Sequence, residues 1–597
     1  MKTNKVIHTK KQLNDQTTRN TSFAIKYAYL IIILIPLLVY LPSVKNGFVY
    51  FDDDILILEN QTKLTNTANI IEAFQSDAFF NKSSPYYRPL LTVSLILDAQ
   101  VSKTNPGFYH FMNIIYHILS CIALFWFLGM LGFKKEISLL ATLFFSVHPL
   151  MAGAVYWIPA RNDLLVSFFS LLFLSFSIRY FQNQKFPYYI VSILAFTLAI
   201  FSKESGIILP LVLFSFLIYI KLLKFNKETL IYCLSLLLIT AIWFFLRKSS
   251  IANVGMTQVG SWAILANYPF PFEIITKFIF PFDNPVTPVY SNSYTIIGIL
   301  IFSISVLYVL FRKPKDINLI FFGFAWYLLF SLPNMFVRLD TSIDSYDYLT
   351  HRAYLPLVGL IIVLITIINK IFSDFNYRSV KGILLFLPLI LLIASSISLA
   401  NKYRNPTTFW TSSIERNPEK AWFHYFLGRS HFMKKNISKS EQYFRNANSL
   451  KQDPRFKYGL TLILQNKKLF DSAFLTISQA RSLGLSEPGA NTTYVNLCIE
   501  TAKIYYEKGE YSKAAERCHL AVDLEPNNAI LSYNMGLYLI NAGETKKAAS
   551  YWRRSINLDT EFKDAYRNLY YYYLNNSKMS DSTEYYLNQF TIRGGKL

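Results

Sequence analysis

Apolar runs recur through the first 400 residues at a length that suits a lipid bilayer. They lie at roughly 24–42, 108–131, 137–155, 163–181, 188–202, 206–222, 229–246, 294–311, 317–335, 353–372 and 382–400. A helix rises about 1.5 Å per residue, so about 20 residues cross a hydrocarbon core about 30 Å thick. In lipid the backbone must satisfy its own polar groups, which makes each such run a helix. About eleven candidate spans result, some at the short end of the spanning range. The stretch 263–289 differs. It carries Pro269, Pro271, Pro281, Pro285 and Pro288, which interrupt a helical ladder, so an interfacial or re-entrant piece is expected there.

The charge pattern orients these spans. The net charge of +22 is not spread as a nucleic-acid surface would be. Lys and Arg gather in alternate short loops: Lys2, Lys5, Lys10, Lys11 and Arg19; Lys134 and Lys135; Arg179 and Lys185; Lys221, Lys224 and Lys227; Arg312, Lys313 and Lys315; Lys370, Arg378 and Lys381. With eleven spans and a cytoplasmic N-terminus, all six groups share one side, which is the positive-inside pattern. The partner implied is the bilayer, with no nucleic acid. The loop 43–107, the segment 148–162, the loop 336–352 and everything after the last span then face outward. Residues 1–22 read as a basic cytoplasmic tail. Leu41-Pro42-Ser43 does not resemble a small-residue cleavage site, so the first span reads as a retained anchor.

Just beyond that first span stands the run Phe51-Asp52-Asp53-Asp54. Carboxylates at a membrane surface suffer desolvation and mutual repulsion, which raise pKa values toward those of a useful base. The placement suits a base acting on a membrane-anchored substrate, although a solvated turn accounts for the same residues. Three adjacent Asp also offer hard oxygen ligands, so a divalent metal on Asp52, Asp53 and Asp54 stays open. No CxxC, HExxH or glycine-rich phosphate loop occurs. Of the four cysteines, Cys121 and Cys233 lie in spans, and Cys498 and Cys518 read as small buried apolar residues or as a pair.

Composition changes near residue 401, beyond which the chain becomes polar and self-similar. Gly509-Glu510, Ala514-Ala515 and Leu524 return as Gly543-Glu544, Ala548-Ala549 and Leu558, each 34 residues on. Leu427-Gly428 and Met535-Gly536 follow Tyr425 and Tyr533, and prolines stand at 418, 454 and 488. A 34-residue period with small residues where paired helices touch is the tetratricopeptide pattern. About four to five helical hairpins are expected over 404–590, stacked as a solenoid that binds extended peptide or protein.

Taken in order, several outer-side residues carry a resemblance. They are Asn46-Gly47-Phe48-Val49-Tyr50-Phe51-Asp52-Asp53; Tyr87-Arg88-Pro89-Leu90; Tyr109-His110, Asn113 and His117; His148-Pro149, Trp157, Arg161 and Asp163-Leu164-Leu165; Lys203-Glu204-Ser205-Gly206; and His351-Arg352-Ala353-Tyr354-Leu355-Pro356. This set, followed by tetratricopeptide repeats, resembles the transmembrane-and-tetratricopeptide-repeat O-mannosyltransferase family and its bacterial relatives, within the GT-C glycosyltransferases. The resemblance covers nearly the whole chain. It implies an all-α fold: a polytopic GT-C-like domain over 23–403 with outer loop 43–107, then repeats over 404–597. The implied reaction moves a mannose-like sugar from a polyprenyl-phosphate donor to a protein hydroxyl, with inversion. The family's aspartate pair matches Asp52 and Asp53. Where the family has a Glu five residues after the His of His-Pro, this chain has Gly153.

The chemistry then distributes roles. A hydroxyl acceptor needs a carboxylate base within about 2.6–3.2 Å, for which Asp52 or Asp53 serves. The leaving phosphate needs fixed cationic donors, and Arg88, Arg161, Lys203 and Arg352 are the outer-side candidates. His117, His148, Glu204 and His351 are supporting candidates, with Lys203 and Glu204 also readable as an ion pair and Arg88 and Arg352 as partners of the acidic run. Trp157 and Trp262 are candidate sugar-stacking residues. The rival reading is a non-catalytic membrane scaffold whose repeats recruit envelope proteins. Lys/Asn/Ile-rich usage points to a bacterial inner membrane with a periplasmic C-terminus, and sequons such as Asn81-Lys82-Ser83 are compatible instead with an endoplasmic reticulum membrane and a lumenal C-terminus.

Overall fold

The computed structural model describes residues 26–80, 84–224, 226–251, 261–312, 316–336, 346–371, 386–487, 489–576 and 580–596. The N-terminal basic tail, Lys313, Lys315, Arg378, Lys381 and the sequon at 81–83 lie outside them. The chain divides into two units, Met1–Pro418 and Glu419–Leu597.

Among the described residues, helices occupy each of the apolar runs of the first unit. Its longer helices are α1 (Ala28–Tyr40), α2 (Pro89–Ser102), α3 (Pro106–Met130), α4 (Lys135–Val147), α5 (Pro149–Tyr156), α6 (Arg161–Asn183), α7 (Phe186–Ser202), α8 (Leu209–Tyr219) and α9 (Lys227–Ser250). They are followed by α10 (Pro269–Ile279), α11 (Asn292–Arg312), α12 (Ile317–Phe336), α13 (Pro356–Ile371), α14 (Phe386–Lys402) and α15 (Pro406–Arg416). Among the described residues, six helical segments are long and apolar enough to cross a bilayer, and α4 with α5 makes a seventh, bent by 57°. The bend falls at His148-Pro149, where proline removes a backbone donor. Shorter apolar helices occupy the remaining expected runs. This is a multi-pass membrane protein. Helices α3 and α6 lie deepest, whereas α9 and α11 expose most of their apolar surface, as helices facing lipid do. The proline-rich stretch contributes the eleven-residue α10, with Pro269 and Pro271 in its first turn, where their missing N–H groups cost nothing.

Contacts tie one set of helix ends together. The Asn46 side chain donates to the Ala400 carbonyl at 3.3 Å, and Gly47 N–H to the Arg404 carbonyl at 2.9 Å. Arg247 reaches the Pro85 carbonyl at 3.3 Å. At these ends the sequence motifs converge.

The second unit is five helical hairpins among the described residues. They pair α16 (Ala421–Met433) with α17 (Ile437–Leu450), α18 (Pro454–Asn466) with α19 (Phe470–Ser482), and α20 (Ala490–Glu507) with α21 (Tyr511–Leu524). Then α22 (Ala529–Asn541) pairs with α23 (Thr545–Leu558), and α24 (Lys563–Asn576) with α25 (Ser580–Ile592). The repeated Gly-Glu pairs end the first helix of their hairpins. Gly509 and Gly543 take φ of 79° and 84°. Glu510 N–H returns to the Tyr505 carbonyl at 2.8 Å and Gly509 N–H to Tyr506 at 3.0 Å, a Schellman turn that glycine adopts without steric cost. Gly428 admits Phe444: a Cβ there would lie 2.8 Å from that ring. Gly536 stands in the same relation to Trp552, sixteen residues on in both hairpins. Cys498 and Cys518 are buried and form no disulfide, and neither do Cys121 and Cys233.

Candidate functional site

The acidic run forms a strained turn. After α1, a 3-10 turn at Leu41–Lys45 leads to Tyr50 and Asp52, whose φ angles of 53° and 69° are left-handed and unfavourable for residues with a Cβ. Asp53 holds this conformation: its Oδ2 accepts from Val49 N–H at 2.7 Å and its Oδ1 from Phe51 N–H at 3.0 Å. Trp157 adds a third tie, Nε1 donating to the Phe51 carbonyl at 2.7 Å while its ring stacks on Phe51.

The two expected acids therefore do different things. Asp53 is 2% exposed and both its oxygens are occupied. Burial pushes its carboxyl up to about 8, against the two amides, with Asp54 and Asp52 pushing the same way as burial. Asp52 is half-buried, and no hydrogen bond to its carboxylate occurs among the described residues. Burial, helped by Asp54, raises it to about 6, while Arg88 and Arg352 pull it down.

Two cations, Arg88 and Arg352, act on Asp52 through their charge. Arg88, the N-cap of α2, donates Nε to Glu204 Oε2 at 3.2 Å and lies 4.3 Å over the Tyr86 ring. Lys203, at the end of α7, binds both oxygens of Asp163 at 2.7 and 2.8 Å. Lys203 and Glu204 thus pair outward rather than with each other, and Arg88 pairs with Glu204 rather than with the acidic run. His351 Nε2 lies 3.9 Å from Asp163. Burial and then the charges of Lys203, Arg352 and Arg88 hold His351 well below its ordinary pKa. Arg352 enters no ion pair among the described residues and acts on Asp52, Lys203 and His351 through its charge. The arrangement can orient a hydroxyl at Asp52 and offer an anion the charge of Arg88 and Arg352.

The structure sends other candidates elsewhere. Arg161 is fully buried, 2.6 Å from Asp98, with Nε on Asn113 at 2.8 Å, Nη1 on Ser94 at 3.2 Å and Nη2 on the Tyr109 carbonyl at 2.9 Å. With these donors engaged, it braces α2, α3 and α6. His117 joins α3 to Tyr354 at 2.6 Å and to the Ser146 carbonyl at 2.8 Å. His148 accepts from Leu150 N–H at 3.2 Å and donates to the Phe278 carbonyl at 3.2 Å, capping α5 at the bend. Trp157 is enclosed between Phe51 and His351, which leaves no open face for a sugar. The Trp262 side chain lies outside the described residues. Among the described residues no group of three His, Cys, Asp or Glu side chains is placed to hold a metal, and Asp53 has already committed both oxygens to the turn.

Gly153 lies where α5 meets the 3-10 turn Thr350–Ala353. A Cβ there would stand 2.8 Å from Thr350 Oγ1 and 3.3 Å from the Tyr403 hydroxyl. Gly153→Glu is therefore expected to push that turn, and Arg352 with it, out of place. The loss should be about 1–3 kcal/mol of stability from overpacking, read as a lower melting midpoint in detergent. A midpoint equal to wild type would show that the turn yields freely.

Asp163, Asp98 and the pair Glu273–Lys277 carry the remaining polar weight, and none was assigned a role from the sequence. A lone Asp inside the run LTVSLILDAQ signals a buried partner, because an isolated charge there is untenable.

With this geometry in place, comparisons with known proteins show what the chain is similar to. Residues 106–246 match the family described as dolichyl-phosphate-mannose-protein mannosyltransferase. The chain is 23% identical over 435 residues to the protein O-mannosyl-transferase F38B6.6 of Caenorhabditis elegans, covering 67% of this chain and 59% of that one. It is 31% identical over 176 residues to human protein O-mannosyl-transferase TMTC3, covering 28% of this chain and 19% of the relative. The chain is thus similar to protein O-mannosyltransferases, most directly across residues 106–246. It spans 59% of the nematode relative and 19% of the human one. Among solved structures it is similar to YrrB, described as a TPR protein with an unusual peptide-binding site, at 17% identity and a TM-score of 0.24 over 31% of this chain and 91% of that one.

Proposed function

We propose that the protein transfers mannose from a polyprenyl-phosphate donor to a Ser or Thr hydroxyl of a protein acceptor. The observation that carries this reading is Asp52, an acid displayed on a strained turn, its carboxylate free of hydrogen bonds among the described residues and influenced by both Arg88 and Arg352. Asp52 takes the hydroxyl proton as the oxygen attacks the anomeric carbon. The bond from that carbon to the phosphate oxygen breaks, the electron pair leaves with the lipid phosphate, and Arg88, Lys203 and Arg352 take up its charge. Attack opposite the leaving group inverts the anomeric centre. With the shorter apolar helices also crossing, the positive-inside pattern supports these groups lying on the outer face of the membrane, and residue usage favours a bacterial inner membrane. The repeats hold the acceptor chain.

Ligand-induced stabilisation tests the donor. Polyprenyl-phosphate mannose at a hundred times its dissociation constant should stabilise the purified protein by about 2.7 kcal/mol, and GDP-mannose should not. Equal shifts with both would point to the nucleotide sugar as donor and overturn this reading.

Topology is tested separately. A reporter fluorescent only in the cytoplasm, fused after Leu597, should stay dark while the fusion inserts. A bright fusion would place the repeats, and with them the proposed acceptor site, on the wrong side.

A further inference from the structure

We infer that a buried Lys277–Tyr348–Glu273 hydrogen-bonded chain positions the segment that carries Arg352, so that Lys277, Tyr348 and Glu273 are positioning residues for the donor-phosphate site. This rests on the transferase reading only for what Arg352 does, not for how it is held.

The segment 346–352 has two faces. On one, Tyr346 meets the Phe51 ring edge-on at 5.5 Å, His351 lies against Trp157 at 4.9 Å, and Arg352 acts on Asp52. On the other, Tyr348 is fastened to α10 and the chain that follows it. Lys277 Nζ donates to the Tyr348 hydroxyl at 2.6 Å, and that hydroxyl donates to Glu273 Oε2 at 2.7 Å. Glu273 Oε1 accepts from Ser291 N–H and from Thr295 Oγ1. The Tyr348 ring stacks on Tyr290 at 5.2 Å and meets Phe270 edge-on at 5.6 Å. Its neighbour Asp347 is held by Tyr290 N–H at 2.7 Å and by its own N–H on the Pro288 carbonyl at 3.0 Å.

Energetics argue for a task beyond stability. Glu273 and Lys277 are 0% and 3% exposed, with Nζ and Oε2 4.0 Å apart. A buried pair of this kind is often no more stable than apolar residues of the same size, because desolvation offsets the attraction. Apolar packing would seat the Tyr348 ring. It would not fix the hydroxyl, which here must both accept and donate and so has one orientation. The chain after Tyr348 reaches Arg352 within four residues and is held again beyond it, by Asn334 on the Arg352 carbonyl at 3.3 Å and by Tyr354 on His117.

Tyr348→Phe removes one oxygen and keeps the ring stacking, and the double variant Glu273→Gln with Lys277→Met removes both buried charges. In each, phenylglyoxal should modify Arg352 several-fold faster than in wild type, scored by peptide mass spectrometry against Arg179. In transfer assays the donor KM should rise about ten- to a hundredfold, as for a misplaced positioning group, with a smaller change in kcat. Combining Tyr348→Phe with Arg352→Lys should cost little more than Arg352→Lys alone. Unchanged Arg352 reactivity, or strictly additive losses, would overturn the inference. If wild type transfers nothing while Arg352 reactivity still follows Tyr348, the transferase reading fails and the positioning role stands.

Discussion

Asp52→Asn should lower the transfer rate about 10²–10⁴-fold, the range that general-base catalysis supplies, while the protein stays folded. Asn keeps the size of Asp and removes only its ability to take a proton. Because Asp52 makes no side-chain hydrogen bond among the described residues, the exchange leaves no structural partner unsatisfied. Asp53→Asn should behave differently. An amide offers one acceptor oxygen where Val49 and Phe51 use two, so the turn loosens and stability falls before chemistry does. The same assignment sets the pH dependence. A base works deprotonated, so with Asp52 near 6 the wild-type rate should rise through about pH 6 and level off above it. Initial rates at saturating donor, with insertion checked by protease protection, separate these cases. Loss in Asp53→Asn with full activity in Asp52→Asn would reverse the roles.

Asp98→Ala should be the most damaging single change to stability, at about 3–5 kcal/mol, because it strands the buried Arg161 guanidinium without its counter-charge. The double change Asp98→Leu with Arg161→Met should recover much of that loss, since no buried charge is left unpaired. Melting midpoints in detergent measure both. A donor-phosphate ligand would behave otherwise: Arg161→Lys would then raise the donor KM in a protein of normal stability.

These outcomes turn on how far the sequence could be read. Helix positions were legible because apolar runs of spanning length have one backbone solution, whereas the prolines of 263–289 led to an interfacial or re-entrant piece, where the structure has the eleven-residue α10. The 34-residue period was equally legible, since Gly509 and Gly543 occupy left-handed turns that only glycine enters easily. Positions in the site were less so. Asp52 and Asp53 are adjacent and identical, and only the left-handed turn separates a displayed acid from one that accepts two amides. Pairings were hidden by distance along the chain: Arg88 meets Glu204 116 residues away, and Lys203 meets Asp163 40 residues away. Arg161 looked like a phosphate ligand because its buried partner Asp98 lies in an apolar run, where the acid itself was the overlooked signal.

The central claim is tested most directly by giving the purified protein polyprenyl-phosphate mannose, labelled in the sugar, together with a mixed pool of Ser- and Thr-containing peptides. The account predicts label on peptide hydroxyls, with the anomeric configuration opposite to that of the donor, and none when Asp52→Asn replaces wild type. Peptides that remain unlabelled by a folded, membrane-inserted wild type, or that are labelled equally by the Asp52→Asn protein, would contradict it.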